Sequence, residues 1–329
     1  MFRLAFLLGA LASPAASAAD VEAVRPWHGE PPAPTQFAKP ELLVDTERLA
    51  VLAGEGKTPP GASLVLLDSR TRDEYDAGHL PGARCLESDP LQDPNRKPHY
   101  LVAPETVAKF AAAAGINPDT RVVVYDAHAG RLAARVWFIF WAYGHENVSI
   151  LDGGILKWKD EGRPATTDPP PKPSQPGTWT PAAQPRAVCA FEDLAAYRVR
   201  PPPGQFPPTL LLDARSYPEY TGADSRAKVG GHIPGAVNLP WDSLLKPVTA
   251  KRPTPETRGY FVWREPAEIH ALLRAAGITS RQPLAVYDQS GGRAAHVVFA
   301  LYLMGYSQAV VYSGGWREYG AREDVEIER

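Results

Sequence analysis

Short apolar, β-branched runs alternate with longer helical stretches along most of this chain. Leu64-Val65-Leu66-Leu67 ends on Asp68, and Val122-Val123-Val124-Tyr125 ends on Asp126. Leu210-Leu211-Leu212 ends on Asp213, and Leu284-Ala285-Val286-Tyr287 ends on Asp288. Apolar runs this short and continuous read as strands covered on both faces, the pattern of a parallel sheet. Between them, Pro104 to Phe110 opens a helix with Pro and Glu in its first turn, ended by Gly115 and Pro118. Arg131 to Tyr143 reads as the next helix, closed at Gly144. Strands and helices in this alternation predict an α/β fold, an open, mostly parallel sheet with helices on both faces.

The pattern occurs twice. Asp68-Ser69-Arg70, Glu74-Tyr75 and Gly78-His79-Leu80-Pro81-Gly82-Ala83 return as Asp213-Ala214-Arg215, Glu219-Tyr220 and Gly231-His232-Ile233-Pro234-Gly235-Ala236. Later in each half, Ile150-Leu151-Asp152-Gly153-Gly154 with Trp158 matches Val311-Tyr312-Ser313-Gly314-Gly315 with Tyr319. Two copies of a long ordered pattern predict a duplicated domain. The first spans residues 41–164 and the second 188–329. Residues 165–187, with Pro169-Pro170-Pro171-Lys172-Pro173, read as a semi-extended surface linker too polar to build core. Residues 20–40 read as a poorly structured arm.

Composition narrows the function classes. A net charge of −2 over 329 residues offers no electrostatic footprint for nucleic acid or a membrane surface. Met1 to Ala19 has the layout of a secretory signal peptide: Arg3, the apolar run Leu4 to Ala12, and Ala16-Ser17-Ala18 as a small-x-small cleavage pattern. The mature protein is therefore expected in the periplasm or outside the cell, as a monomer. Its two cysteines, Cys85 and Cys189, either pair across the domains in an oxidising compartment or stand apart as small buried residues. Neither lies in a Gly-rich loop or at metal-ligand spacing, so no metal and no cofactor is expected.

The motifs resemble the tandem rhodanese family, which includes thiosulfate and 3-mercaptopyruvate sulfurtransferases. Gly-His-Ile-Pro-Gly-Ala, Tyr287-Asp288-Gln289-Ser290-Gly291-Gly292-Arg293-Ala294, Gly314-Gly315-Trp316-Arg317-Glu318-Tyr319-Gly320 and Ala134-Arg135-Val136-Trp137 carry the likeness, from about Glu41 to the end. The resemblance implies that residues 288–293 form the ligand-binding loop, with a persulfide-forming cysteine at 288. Asp288 stands there instead, as Asp126 does at the equivalent position of the first half. It also implies a substrate-contacting arginine at the position of Glu219 and a basic residue at that of Ser290. Arg215, Glu219 and Trp316 are expected to wall the pocket, and Arg293 to pair with Asp288 or a helix-end carbonyl.

The chemistry of such a loop explains why position 288 matters. A Gly-rich turn leading into a helix aims several backbone N–H groups at one point. Those donors stabilise a thiolate and its persulfide. A carboxylate accepts the same N–H groups but cannot carry a sulfane sulfur. The expectation is a rhodanese-like module without ordinary thiosulfate:cyanide transfer, which binds a small molecule or a periplasmic protein. The alternative is a sulfurtransferase that uses a non-standard residue, with Cys85 or Cys189 as carrier.

Overall fold

The computed structural model describes residues 33–54, 64–87, 101–182, 187–197, 209–254, 257–279, 282–312 and 314–329. The leader reading of Met1 to Ala19 and most of the arm lie outside them.

The first domain holds β1 (Leu43–Val44), α1 (Thr46–Gly54), β2 (Leu64–Asp68), α2 (Arg72–Asp76), β3 (Arg84–Cys85), α3 (Pro104–Ala114), β4 (Arg121–Tyr125), α4 (Arg131–Ala142), β5 (Val148–Leu151) and α5 (Gly154–Asp160). The second holds β6 (Val188–Cys189), β7 (Leu210–Asp213), α6 (Tyr217–Thr221), β8 (Val237–Asn238), β9 (Leu245–Thr249), β10 (Gly259–Trp263), α7 (Pro266–Ala275), β11 (Leu284–Tyr287), α8 (Gly292–Leu303), β12 (Ala309–Tyr312) and α9 (Gly315–Tyr319). Each domain has a five-stranded sheet, ordered β1-β5-β4-β2-β3 in one and β6-β12-β11-β7-β8 in the other. Every pair in both sheets is parallel, and the two orders are equivalent strand for strand. The duplication read from the motifs is thus a duplication of topology.

The apolar runs fall inside the strands as expected. Val122, Val123, Val124 and Tyr125 are wholly buried, as are Leu284, Ala285, Val286 and Tyr287. Helix α3 starts at its proline and ends at Gly115, whose φ of 74° closes the turn in the left-handed region. Helices α4 and α8 pack against each other across the domain boundary, with Trp137 edge-on to Phe299 at 4.9 Å. Both side chains are fully buried, and truncating either to alanine costs about 3–5 kcal/mol by the usual cavity rule.

Two elements depart from expectation. The linker is not too polar to build core: Trp179 is buried against the first domain and stacks on Phe140 at 5.4 Å. Its backbone is tied down as well, Trp179 N donating to Ile116 O and Gly177 N to Ala112 O. The indole gains more from leaving water than the surrounding prolines lose. The second departure is the antiparallel hairpin β9–β10, which the sequence reading did not extract. The hairpin reaches the first domain, where Trp263 N donates to Asp152 Oδ1 at 3.0 Å and Arg252 N to Asp160 Oδ1 at 2.6 Å. The run Tyr260-Phe261-Val262-Trp263 was its available signal.

Candidate functional site

Strand β11 delivers Asp288 to the carboxyl end of its sheet, where open α/β folds bind ligands. The chain then turns through Gln289, Ser290 and Gly291. Gly291, at φ 97°, caps α8. Asp288 is 2% exposed. Its carboxylate accepts from Ser290 N at 3.2 Å, from Gly291 N, and from Arg293 N at 3.0 Å. Three backbone donors of the kind that would stabilise a thiolate are therefore turned on a side-chain oxygen. From behind, Trp316 N donates to Asp288 O at 2.7 Å.

The first-domain loop is built alike around Asp126, with one residue more before the helix. Its carboxylate accepts from His128 N, Gly130 N, Leu132 N and Ala133 N at 2.8 to 3.0 Å. Ala129 absorbs the added residue at φ 59°, a left-handed conformation uncommon outside glycine. A cavity of about 340 Å³ opens beside this loop and is closed by Trp241 and by Tyr260 and Phe261 of the hairpin. His296 of α8 lies next to Gly130, stacked on Trp263 at 4.3 Å. Burial holds its imidazole down at about 3, so it is neutral.

Arg293 pairs with Asp288 as expected, and with a second carboxylate besides. Its guanidinium meets Asp288 only at 3.5 Å through Nε, while its two terminal nitrogens grip Glu219 at 2.5 and 3.0 Å. Glu219 is buried at the third position of α6, where it also accepts from Ser216 N and Ser216 Oγ in a capping box. Burial opposes its charge, but Arg293 and Ser216 outweigh that and hold the carboxyl at about 2. Exposed Arg226 approaches Glu219 at 3.7 Å, and its carbonyl accepts from the Gln289 amide at 3.4 Å. The loop therefore carries two buried carboxylates around one buried guanidinium.

Arg215 and Trp316, expected as pocket wall, brace the loop from within. Arg215 is buried, pairs with Asp213 and donates to Gly231 O at 2.8 Å. Its guanidinium lies 4.5 Å from the Trp316 ring, and Trp316 Nε1 donates to Val229 O. Gly292 has open space where a side chain would begin. His79 and His232 take structural bonds, their Nδ1 atoms meeting Tyr75 O and Tyr220 O at 2.9 Å.

Cys85 and Cys189 are free thiols and not a disulfide. They sit on β3 and β6, the edge strands of different sheets. Burial pushes the Cys85 thiol up to about 11 and the Cys189 thiol up to about 12.

Comparison with known proteins agrees with this fold. The rhodanese-like domain model matches residues 51–161 and again 203–322. The sulfur carrier protein TtuD of Thermus thermophilus is 32% identical over 302 residues, covering 88% of this chain and 98% of that protein. The thiosulfate sulfurtransferase of Bos taurus is 30% identical, covering 86% of this chain and 93% of the enzyme. Among solved structures, an anaerobic ergothioneine biosynthesis enzyme from Chlorobium limicola superposes with a TM-score of 0.71 at 26% identity. That alignment spans 88% of this chain and 71% of the other. With two matched domains, equivalent parallel sheets and an amide-lined loop in each, this chain belongs to the tandem rhodanese-like sulfurtransferase family.

Proposed function

We propose that this chain is an exported family member that does not carry out ordinary thiosulfate:cyanide sulfur transfer and acts as a binding module. The observation that carries the reading is the Asp288 carboxylate, seated on the loop N–H groups that persulfide chemistry requires for a thiolate. A carboxylate oxygen cannot take up a sulfane sulfur and hand it on. Its fixed charge also repels thiosulfate, and Arg293, the nearest cation, is committed to Glu219. The ligand suited to this loop is neutral or cationic, either a small molecule or a segment of a partner protein. Export rests on the leader pattern of Met1 to Ala19.

A second reading is sulfur transfer through a non-standard carrier, favoured by the activities named for the relatives. Against it stand the raised thiols of Cys85 and Cys189, which leave little thiolate at neutral pH. Incubation of the purified protein with thiosulfate or 3-mercaptopyruvate, followed by intact-mass measurement, separates the two. The binding-module reading expects no gain of a sulfur atom and no thiocyanate on adding cyanide. A cyanide-labile sulfur on either cysteine replaces it with the second.

A further inference from the structure

The two loops differ in the fate of their positive charge. Counted from the glycine that caps each helix, Gly130 for α4 and Gly291 for α8, Arg131 takes the place of Gly292 and Leu132 that of Arg293. In the second domain Arg293 is committed to Glu219 and Asp288. In the first, Glu74 stands at the third position of α2 as Glu219 does in α6, and it meets His128 Nε2 at 2.9 Å instead. Arg131 is half-buried, and its guanidinium has no hydrogen-bond or ion-pair partner among the described residues.

The second domain shows how much room that position has. A Cβ on Gly292 would meet no atom within 4 Å. At the equivalent place in the first domain lies the cavity of about 340 Å³, and Arg131 lines it. Its volume falls at the lower end of the range that encloses a small ligand, roughly 300–1,000 Å³.

The remaining walls are largely apolar. Leu156 of α5 lines the space from the first domain, and Trp241, Tyr260 and Phe261 line it from the second. Phe261 leaves 45% of its surface in water, which a guest's ring would cover. The carboxylates nearby are already engaged. Asp126 is 2% exposed and its oxygens accept from four backbone N–H groups, while Glu74 is held by His128. The neutral His296 imidazole beside Gly130 offers Arg131 no counter-charge.

We propose that this interdomain cavity binds a small monocarboxylate with a flat apolar body. The carboxylate pairs with the Arg131 guanidinium, whose planar fork fits two oxygens at once. The body lies against Trp241, Tyr260 and Phe261. Partial enclosure between the domains strengthens the pair over one in open water. Thiosulfate, a dianion without an apolar body, leaves the aromatic wall uncovered and is a poor guest. The two loops thus select opposite charges. The site is separate from the Asp288 loop and stands whether or not that loop transfers sulfur.

Isothermal titration calorimetry of the full chain with benzoate tests this, with benzamide as the uncharged isostere. The expected result is saturable heat with benzoate and affinity about tenfold weaker or worse for benzamide. Arg131→Gln is expected to weaken benzoate about tenfold and to leave benzamide and the circular dichroism spectrum unchanged. Arg131→Lys keeps the charge without the fork and should recover part of the loss. Lys172→Gln removes an equal charge from an exposed linker position outside the lining and should leave benzoate affinity as it was. Phe261→Ala should weaken both ligands alike, about threefold. Equal affinity for the two ligands, no saturable heat with benzoate, an unaltered benzoate affinity in Arg131→Gln, or an equal loss in Lys172→Gln would each overturn the proposal.

Discussion

Arg293 and Glu219 are joined by two N···O contacts of 2.5 and 3.0 Å, both partners largely withdrawn from water. This pairing decides the electrostatics of the second-domain loop. Left alone, Arg293 would be a cation at the helix entrance, suited to an anionic substrate. Gripped by Glu219 and approached by Asp288, it becomes part of the scaffold.

Asp288→Cys is expected to place a thiol on donors already arranged for a thiolate. Iodoacetamide at neutral pH should then modify position 288 well before Cys85 or Cys189, which burial holds at about 11 and about 12. Peptide mass mapping over time reads the order of modification. An unreactive residue at 288 would mean that the loop closes differently around sulfur.

Freeing Arg293 should then matter for activity. In the Asp288→Cys background, Glu219→Gln removes the carboxylate that neutralises the guanidinium, and thiosulfate turnover measured as thiocyanate should rise. Glu219→Arg would instead set two guanidiniums face to face. The cost of Glu219→Gln is stability, about 3 kcal/mol for breaking a buried pair, seen as a lower urea midpoint.

Acid should unfold the protein in two stages. The His296 imidazole is held at about 3, below its ordinary 6.5, by burial. The unfolded chain takes that proton first, so stability declines as pH falls from 6.5 toward 3. Glu219, at about 2 against an ordinary 4.5, contributes stability above 4.5 that is lost as pH falls toward 2. His296→Phe, which keeps a ring against Trp263, should flatten the upper stage of a Tm-versus-pH curve. Glu219→Gln should flatten the lower one. A wild-type curve that is level between pH 6.5 and 4.5 would remove the role given to His296.

Gly315→Ala should disturb the loop from a distance. Gly315 has φ 57°, and an added Cβ would lie 2.5 Å from Asp288 O. Backbone strain and that contact together predict a loss of more than about 1 kcal/mol. Thermal denaturation measures it, with Gly277→Ala as a control that shares the left-handed φ but meets no neighbour within 4 Å.

Much of the architecture was legible because burial on both faces writes strands as unbroken apolar runs. Arg121 to Tyr125 and Leu284 to Tyr287 are strands with those bounds. The repeat fixed the topology, since the same order of motifs can pack only one way twice. Asp288 and Asp126 were legible because each follows a strand and precedes a helix. The second partner of Arg293 was not: Glu219 lies 74 residues away, and its place in the capping box of α6 gives no hint of the contact. The interdomain cavity escaped for the same reason, since its walls come from segments with no common periodicity. Trp179 was hidden by its prolines, which signal extended chain without saying what that chain packs on.

The carboxylate ring at Asp126 and Asp288 has one last consequence. A cysteine in such a turn is oxidised stepwise to sulfenic, sulfinic and sulfonic acid; thiol reductants restore it from the first, and the last is irreversible. An aspartate has no such ladder. Peroxide can neither inactivate the turn nor alter its charge, so whatever these loops hold, they hold it at any ambient redox potential.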